Sequence, residues 1–382
     1  MQRPSLALNR FLALSIVLVM LGLSMASGQV WRLADAAATS PQSSSATGLY
    51  FDHVLLIMME NQNINSTYNC GSLCDQFLTP FANSNGLALN YQRVIDGSLP
   101  NYFALTMGQI NTYPFPGADC SPYQYPTNSS WPKYCPQDSV NIADSLENAG
   151  LTWKAYVENY PGQGSGTYYS SGGCYLAYQT YDANNADSTF YAADHNPFVY
   201  YQDIVNSTSR CAQIVPANTQ HNNPETDDVL LSDLNDPTVS APNFMWLSPD
   251  ECDQMHHACY PSPTSDNNAA VQQGSDYLSQ LIPQVLNSYT FTNERSALFI
   301  TFDENCAVAD PPGCGSTSSI YTVWASYNSQ ITTPGYESNT SYNHYSFTRT
   351  IETNWNLPSL TANDANAEPM SEFFTSSAPV VS

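Results

Sequence analysis

The sequence predicts an α/β fold, with a mainly parallel central sheet and helices on both faces. Short apolar runs, typical of strands buried on both sides, alternate along the chain with segments of helical periodicity. Strands that alternate with helices favour parallel pairing, because a helix can carry the chain back to the start of the next strand. The chain has 382 residues, of which 42% are hydrophobic and 12% aromatic, so it can bury a large core.

The apolar runs that we interpret as strands contain no charged residue. They cover residues 54–59, 244–247, 297–302 and 320–325. The predicted helices cover residues 142–149 before Gly150, residues 277–285, and residues 346–355 after the candidate capping residue Asn343. In such sheets ligands bind beyond the carboxyl ends of the strands, so the residues just after each run are expected to carry function.

The composition excludes a general nucleic-acid-binding surface. The chain has 33 Asp and Glu residues against nine Lys and Arg, and its formal net charge is -24. A chain this acidic repels the phosphate backbone of DNA or RNA. Two origins fit this composition: an extracellular protein from an acidic medium, where carboxylates lose their charge below about pH 4, and an ordinary acidic secreted protein.

The first segment predicts export. Arg3 and Arg10 precede an apolar run over residues 11–23, and small residues follow it, so residues 1–26 are a predicted signal peptide. An uncleaved membrane anchor is the less favoured alternative, because the run is shorter than the roughly 20 residues needed to span a bilayer. Cleavage changes the net charge to -26, because the removed segment has two basic and no acidic residues.

The rest of the chain divides into two predicted regions. Residues 27–48 are rich in Ala, Ser and Thr and form a predicted flexible leader. Residues 49–376 contain no linker or repeat and form one predicted domain. No second segment is apolar enough to span a membrane, so we expect no stable membrane span after signal cleavage.

The ten cysteines fit an oxidising compartment, where an even count predicts disulfides. They are Cys70, Cys74, Cys120, Cys135, Cys174, Cys211, Cys252, Cys259, Cys306 and Cys314. Pairing neighbours in order closes only local loops, although the sequence does not determine the connectivity. A zinc site is the alternative, weakened because no CxxC pair occurs. Four sequons permit glycosylation, at Asn65, Asn128, Asn206 and Asn339.

Two predicted strands run directly into carboxylates. The first ends at Glu60 and Asn61, and a later one ends at Asp303 and Glu304. These side chains supply oxygen ligands of the kind that hard or borderline divalent cations prefer. The alternative is that these carboxylates are solvated loop residues. Because two strands of one chain end in this way, the metal site and the solvated loop are hypotheses of equal weight.

Ser98 lies at a predicted helix start, before Leu99 and Pro100 and a short helical stretch that Gly108 ends. The N-terminal end of a helix dipole stabilises anions, and its backbone N–H groups can hold a phosphate. This position suits a nucleophile that attacks phosphorus. A capping serine is the commoner role at such a position, and the two roles are compatible.

Seven segments resemble, in the same order, the phosphoesterases of the alkaline-phosphatase-like superfamily, which contains bacterial phospholipases C and secreted acid phosphatases. The resemblance covers nearly the whole mature chain. The segments are HVLLIMMEN, SLPNYFALTMG, IADSLENAGLTWKAYVE, HNPFVYY, WLSPDECDQMHH, LFITFDEN and NHYSFTRTIE. The resemblance implies an alkaline-phosphatase-like three-layer sandwich, and it makes residues 49–376 a phosphoesterase catalytic domain.

The resemblance also implies site residues. Ser98 matches the nucleophile of the family. The implied ligands of a divalent metal ion, whose identity the sequence leaves open, are Glu60, Asn61, Ser98, Asp303 and Glu304. The histidines implied in catalysis are His195, His256 and His344, with His257 as a substitute, whereas His53 and His221 have no implied role. A second metal is implied at Asp250, His256 and His344, but Gln254 replaces the acidic residue of the DGH-like motif, which weakens that assignment.

The implied chemistry is phosphate-ester hydrolysis. The metal lowers the pKa of the Ser98 hydroxyl and neutralises a phosphoryl oxygen, Ser98 attacks in line, and water then frees the phosphorylated serine. A histidine protonates the leaving alcohol. We expect a secreted acid phosphatase acting on phosphomonoesters. A phospholipase C acting on phospholipid headgroups and a catalytically inactive cell-surface binding protein are the alternatives. The expected partner is a small-molecule phosphate ester or a phospholipid, with no nucleic acid.

Overall fold

The computed structural model describes the chain in seven stretches. They are residues 47–110, 119–126, 133–178, 190–220, 226–259, 266–305 and 318–375. The predicted signal peptide and most of the predicted leader lie outside the described residues, as do Asn128, His221, Cys306 and Cys314. The predicted division into signal peptide, leader and catalytic domain therefore stays a prediction.

An eight-stranded sheet forms the centre of the fold. The described residues form ten strands, of which eight belong to this sheet. In chain order the ten strands are β1 (His53–Met59), β2 (Gly86–Ala88), β3 (Tyr91–Gln92), β4 (Trp153–Val157), β5 (Ile214–Pro216), β6 (Phe244–Ser248), β7 (Ser296–Phe302), β8 (Val323–Ala325), β9 (Tyr336–Ser338) and β10 (Tyr342–Asn343). The sheet order is β5-β4-β6-β1-β7-β8-β2-β9, and β10 pairs with β3 separately. Strand β8 runs antiparallel to β7 and β2, and the other pairs are parallel.

Helices flank this sheet, which confirms the predicted α/β fold with a mainly parallel sheet. The described α-helices are α1 (Ile64–Thr67), α2 (Leu78–Ser84), α3 (Ser98–Met107), α4 (Ile142–Asn148), α5 (Gln202–Val205), α6 (Thr208–Cys211), α7 (Asp228–Asn235), α8 (Asn267–Leu286), α9 (Tyr289–Asn293), α10 (His344–Trp355) and α11 (Ala362–Ala365). None of the helices in these stretches is long and apolar enough to cross a bilayer.

The central strands are buried along their whole length. Every residue of β1, with sequence HVLLIMM, and of β7, with sequence SALFITF, is buried. Helix α10 packs on this part of the sheet through Phe347, whose ring lies 4.5 Å from that of Phe299 between centroids. Phe299 lies equally close to Trp324 of β8. Such rings bury large apolar areas, so the uncharged strand sequences are held between layers as predicted.

For α4 and α10 the predicted helix ends agree with the structure to within two residues. Asn343 caps α10, because its side-chain oxygen accepts from the backbone N–H of Tyr345, and its own backbone N–H donates to Oγ of Ser346. Helix α4 ends before Gly150, which has a φ of 74° and so favours glycine. Helix α8 is longer than predicted, because Asp266 caps a polar first turn that shows no apolar periodicity.

The predicted strand at 320–325 is shorter in the structure and antiparallel to β7. Only Val323–Ala325 forms β8. Ahead of it the Ile320 N–H donates to the Tyr91 carbonyl oxygen at 2.9 Å, and the Thr322 carbonyl accepts from Ala88 at 3.0 Å. The backbone before β8 therefore bonds to other elements, which the apolar pattern alone does not reveal.

Four disulfides join described cysteines. The pairs are Cys70–Cys74, Cys120–Cys135, Cys174–Cys211 and Cys252–Cys259. Each pair joins neighbours in sequence order, so local pairing is confirmed for these eight residues. The zinc alternative is wrong for them, because a bonded sulfur is no thiolate ligand.

His53 and Glu294 form an ion pair at the start of the central strand. Nε2 of the buried His53 lies 2.5 Å from Oε2 of Glu294, and Nδ1 lies 3.0 Å from the Pro242 carbonyl oxygen. The protonated ring donates to both acceptors at once. Burial alone lowers the pKa of His53, but these two partners raise it above its ordinary value. The hydrogen bond from His53 lowers the pKa of Glu294.

This pair predicts a maximum of the unfolding free energy on the acid side of neutrality. The raised pKa of His53 gives stability that is complete below about pH 6.5 and is lost as the pH rises through the folded-state pKa. The lowered pKa of Glu294 gives stability that is present above about pH 4.5 and is lost below it. Urea unfolding of the wild type and His53→Gln should show a larger difference at pH 5.5 than at pH 8. An equal difference at both values would contradict this.

Candidate active site

Glu60 and Asp303 lie side by side because their strands are neighbours. Strands β1 and β7 are parallel, with Met59 opposite Phe302, so the residues that follow reach the same edge of the sheet. The backbone N–H of Asn61 donates to Oδ1 of Asp303 at 2.8 Å, and both carboxylates are fully buried. The structure therefore brings the two acidic strand ends together.

Ser98 is the first residue of α3, and its hydroxyl faces Glu60. Gly97 occupies the N-cap position with a φ of 102°, a conformation that favours glycine. Ser98 Oγ donates to Oε2 of Glu60 at 2.9 Å. The alternative of a capping serine is wrong, because Gly97 holds that position. Helix α3 has ten residues, so Ser98 lies at the positive end of a helix dipole.

Glu60 is the hydrogen-bond centre of this site. Besides the Ser98 hydroxyl it accepts from Asn61 Nδ2 at 3.0 Å and from the Tyr102 hydroxyl at 2.6 Å. Burial, together with the nearby charge of Asp303, raises the pKa of Glu60 well above its ordinary value. Burial also raises the pKa of Asp303. Two adjacent buried carboxylates require a shared proton or a bound cation.

The oxygen atoms at this position fit the coordination of a divalent cation. Oδ2 of Asp303 is buried and has no hydrogen-bond partner among the residues that the structure describes. The carboxylates of Glu60 and Asp303, the amide of Asn61 and the hydroxyl of Ser98 all offer oxygen, the ligand atom that hard cations prefer. These four of the five predicted ligands therefore converge.

Glu304, the fifth predicted ligand, lies further out. Its Oε2 accepts from the Gly97 backbone N–H at 3.0 Å and from Arg93 Nη1 at 3.2 Å. Burial raises the pKa of Glu304 to about 8. Through Gly97 this carboxylate holds the residue before Ser98, so it fixes the start of α3 in place.

His195 contacts Glu60 and is held by Glu251. Its Nε2 lies 3.5 Å from Oε1 of Glu60, and its Nδ1 lies 3.4 Å from Oε1 of Glu251. The ring stacks on Tyr102, with centroids 5.7 Å apart. Burial alone lowers the pKa of His195, but the charges of Glu251 and Asp194 raise it above its ordinary value. The predicted histidine therefore lies in the site, beside the hydrogen-bond partner of Ser98, the predicted nucleophile.

Glu251 joins three histidines. Its Oε2 lies 3.0 Å from Nδ1 of His257 and 3.9 Å from Nδ1 of His256. The rings of these two histidines stack on each other, with centroids 4.3 Å apart. Burial alone raises the pKa of Glu251, but His195 and His257 lower it to about 2. The carboxylate thus stays charged and can orient all three rings. The disulfide Cys252–Cys259 closes the loop that carries the tandem histidines.

His344 contacts the backbone next to the carboxylate pair. Its Nε2 donates to the Asp303 carbonyl oxygen at 2.6 Å, and its Nδ1 lies 3.1 Å from the Tyr91 hydroxyl. Burial lowers the pKa of His344 to about 4, so the ring is neutral at ordinary pH. A neutral ring with both nitrogens engaged holds Asp303 in position.

Asp250 belongs to another group of carboxylates. It lies with Glu158 and Asp253 in a buried cluster whose ligand atoms are close enough to hold an ion. Asn159 Nδ2 donates to Oδ2 of Asp250 at 2.8 Å. Two further groups of this kind occur in the described stretches: Glu60 with His195 and His256, and Glu251 with His256 and His257. None joins Asp250, His256 and His344, so the second metal stays a prediction.

The sequence patterns did not predict three residues of the site: Tyr102, Glu251 and Arg93. Tyr102 lies four residues after Ser98 and so faces the same side of the helix, which is a usable signal. Arg93 was identifiable as one of only nine basic residues in the chain. Glu251 gave no signal beyond its place after Asp250, because its role depends on the loop conformation.

A sequence model of the Phosphoesterase family matches residues 76–358 of this chain. The chain is 23% identical over 338 residues to a probable acid phosphatase of Kluyveromyces lactis, covering 87% of this chain and 65% of that protein. It is 25% identical over 325 residues to a phosphate-repressible acid phosphatase of Penicillium chrysogenum, covering 85% and 64%. The chain thus spans slightly less than two thirds of the length of these curated relatives. A solved alkaline phosphatase superfamily protein from Vibrio parahaemolyticus is similar with a TM-score of 0.47 and 13% identity, covering 81% of this chain and 67% of that one.

The carboxylate pair predicts that Asp303→Asn stabilises the metal-free protein. The amide has nearly the same shape and removes one buried charge beside Glu60, so we expect the unfolding free energy at pH 8 with chelator to rise by about 0.5–2 kcal/mol. The control is Asp276→Asn on the exposed side of α8, which should change it by less than about 0.5 kcal/mol. Urea unfolding measures both, and a less stable Asp303→Asn protein would contradict the argument.

Proposed function

The chain belongs to the phosphoesterase family, and we propose that it is a secreted, metal-dependent acid phosphatase that hydrolyses phosphomonoesters through a phosphoserine formed on Ser98. The observation that carries the proposal is the position of Ser98. This residue is the first of a ten-residue helix, and its hydroxyl donates to the buried Glu60 carboxylate at 2.9 Å. The names of the two curated relatives support the activity, since both are called acid phosphatases.

The metal is assigned to Glu60, Asn61, Ser98 and Asp303, with Glu304 as the outermost of the five ligands. The support is Oδ2 of Asp303, which is buried beside a second carboxylate and has no hydrogen-bond partner in the stretches that the structure describes. When bound, a divalent cation there neutralises a phosphoryl oxygen and lowers the pKa of the serine hydroxyl.

The first step is attack by Ser98 on phosphorus. A bond forms between Oγ and phosphorus while the bond from phosphorus to the ester oxygen breaks. Oε2 of Glu60 accepts the hydrogen bond of the hydroxyl, so it is the first acceptor for the Ser98 proton. The positive end of α3 stabilises the anionic phosphoryl group as the substrate binds.

His195 then protonates the leaving alcohol. The charge of Glu251 keeps this ring protonated and oriented, and the ring lies beside Glu60. His256, which is close to both Glu60 and His195, contributes to binding of the phosphoryl oxygens. His344 keeps Asp303 in place. In the second step water attacks phosphorus of the phosphoserine and gives a proton to His195, while the bond between phosphorus and Oγ breaks. Phosphate leaves, and Glu60 returns its proton to the Ser98 oxygen.

Secretion, signal-peptide cleavage and glycosylation belong to the same proposal. Four local disulfides favour an oxidising compartment. The three described sequon residues, Asn65, Asn206 and Asn339, are all exposed, as attachment of a glycan requires. An acidic medium fits the net charge of -24, because acid reduces repulsion of the anionic substrate.

Ser98→Ala is expected to lower kcat for p-nitrophenyl phosphate by at least about 1,000-fold, because no other group replaces the nucleophile. The matched control is Ser145→Ala on α4, since both serines are 6% exposed and only Ser98 lies in the site. Circular dichroism should show both variants folded. A folded Ser98→Ala protein with near wild-type kcat would rule out the nucleophile.

Removal of divalent metal is expected to abolish turnover reversibly. Chelator should stop hydrolysis of p-nitrophenyl phosphate, and readdition of one of Mg²⁺, Ca²⁺, Mn²⁺ or Zn²⁺ should restore it. The same cation should raise the Tm of the wild type but not of Asp303→Asn, which lacks an anionic ligand. Full activity in chelator contradicts metal dependence, and faster hydrolysis of phosphatidylcholine than of p-nitrophenyl phosphate would favour the phospholipase C alternative.

A further inference from the structure

Four partly exposed tyrosines form a continuous aromatic surface, here called the tyrosine surface: Tyr123, Tyr125, Tyr168 and Tyr175. The ring centroid of Tyr123 lies 4.8 Å from that of Tyr125 and 5.2 Å from that of Tyr168. The centroids of Tyr168 and Tyr175 are 6.3 Å apart. Tyr168 is 41% exposed, and the other three are half-buried. Single exposed aromatic residues are ordinary, but rings that touch one another at the surface indicate a binding site.

Other tyrosines of the fold are used differently. Tyr102, Tyr200 and Tyr277 are fully buried, and each hydroxyl donates to a carboxylate or to a backbone carbonyl. These rings fill the core and satisfy buried acceptors. The rings of the tyrosine surface stay partly exposed instead, although the Tyr125 hydroxyl also donates to a backbone carbonyl, so core packing does not fully explain this surface.

One end of the tyrosine surface is tied to the start of the catalytic helix. Asp119 Oδ1 accepts from the backbone N–H of Leu99, the residue after Ser98, at 3.0 Å. Tyr123 follows Asp119 by four residues, a distance of at most about 14 Å along an extended chain. The segment that carries Tyr123 and Tyr125 therefore starts next to the nucleophile.

The other end is tied to the residue before His195. The Tyr178 hydroxyl donates to Oδ2 of Asp194 at 3.1 Å, and the Tyr178 carbonyl accepts from Tyr125 at 3.3 Å. Burial and the nearby charges of Asp194, Asp119 and Glu251 raise the pKa of Tyr178 well above its ordinary value. Tyr178 thus lies between the tyrosine surface and the carboxylates that surround the active-site histidine.

Two disulfides hold these segments. Cys120, bonded to Cys135, lies three residues before Tyr123, and Cys174, bonded to Cys211, directly precedes Tyr175. A surface held in this way loses little conformational entropy when a ligand binds. Preorganisation of this kind is expected of a substrate subsite.

We propose that the tyrosine surface binds the leaving alcohol of the substrate, and that it favours phosphomonoesters whose alcohol contains an uncharged ring, either a sugar or an aromatic ring. The proposal rests on the proposed phosphatase function and names its substrate class. Phenol rings stack on aromatic rings and on the apolar faces of sugars, and their hydroxyls bond to ring substituents.

The chemistry of the surface argues against other occupants. A quaternary ammonium group, as in choline, needs aromatic faces around an open centre, whereas these rings contact one another directly. An uncharged ring matches both the neutral charge and the continuous shape.

The test compares substrates that share the phosphate and differ in the alcohol. Phenyl phosphate and glucose 6-phosphate carry rings, whereas glycerol 2-phosphate and phosphocholine do not. Tyr168→Ala should lower kcat/KM about fivefold to tenfold for the first two, which is the loss of one stacking contact, and less than twofold for the others. Tyr168→Phe keeps the ring and should stay within twofold on phenyl phosphate. The control is Tyr289→Ala on α9, because Tyr289 is 39% exposed and lies outside the tyrosine surface.

The outcomes separate the two proposals. A wild type that hydrolyses these esters while Tyr168→Ala and Tyr123→Ala lower kcat/KM equally for all four overturns the subsite and leaves the phosphatase function standing. A loss confined to phosphocholine also overturns it. A folded, metal-loaded wild type inactive on all four overturns the phosphatase function itself. If Tyr168→Ala does not fold, Tyr123→Ala carries the same comparison.

Discussion

Two carboxylates, Glu60 and Asp303, are fully buried side by side, and the parallel register of β1 and β7 keeps them there. Neither can turn to water, so their charge has to be balanced inside the protein by hydrogen bonds, by a shared proton or by a cation. The surrounding groups meet this requirement: Ser98, Tyr102 and the Asn61 side chain donate to Glu60, and the Asn61 backbone donates to Asp303. The position of α3 follows from the same constraint, because Ser98 at its start and Tyr102, one turn later, supply two of those donors.

A second set of carboxylates holds the groups around this pair. Glu304 binds the N–H of Gly97 and so fixes the start of α3, and Glu251 binds His195. The arrangement alternates acceptors with donors in a chain that has only nine Lys and Arg residues. His195, backbone N–H groups and a helix terminus supply positive charge there, together with Arg93, which donates to Glu304.

Much of this arrangement could be predicted from the sequence, because its signals are local. Apolar runs that end in Glu60 and Asp303 locate both strand ends, and Pro100 with Gly108 locates α3. The antiparallel direction of β8 could not be predicted, because it depends on backbone pairing with β7 and with the distant β2. Glu304 has the same sequence signal as Asp303, yet successive residues after a strand point to different sides, so it reaches Arg93 and Gly97. The role of Glu251 depends on the loop closed by Cys252–Cys259 and has no local pattern.

The folded chain carries less negative charge than its formal net charge suggests, because several buried carboxyl groups hold protons. Burial raises the pKa of Asp194 to about 7 and that of Glu352 to about 7, and it raises the pKa of Glu158 well above its ordinary value. These groups hold protons in the folded chain at pH values where the unfolded chain has released them, so the unfolding free energy decreases as the pH rises from about 4 towards 7. Protonation that stabilises the fold also removes negative charge that repels an anionic ester. Stability and access of the proposed anionic substrate therefore favour the same acidic conditions, which gives a physical reason for the excess of carboxylates over basic residues.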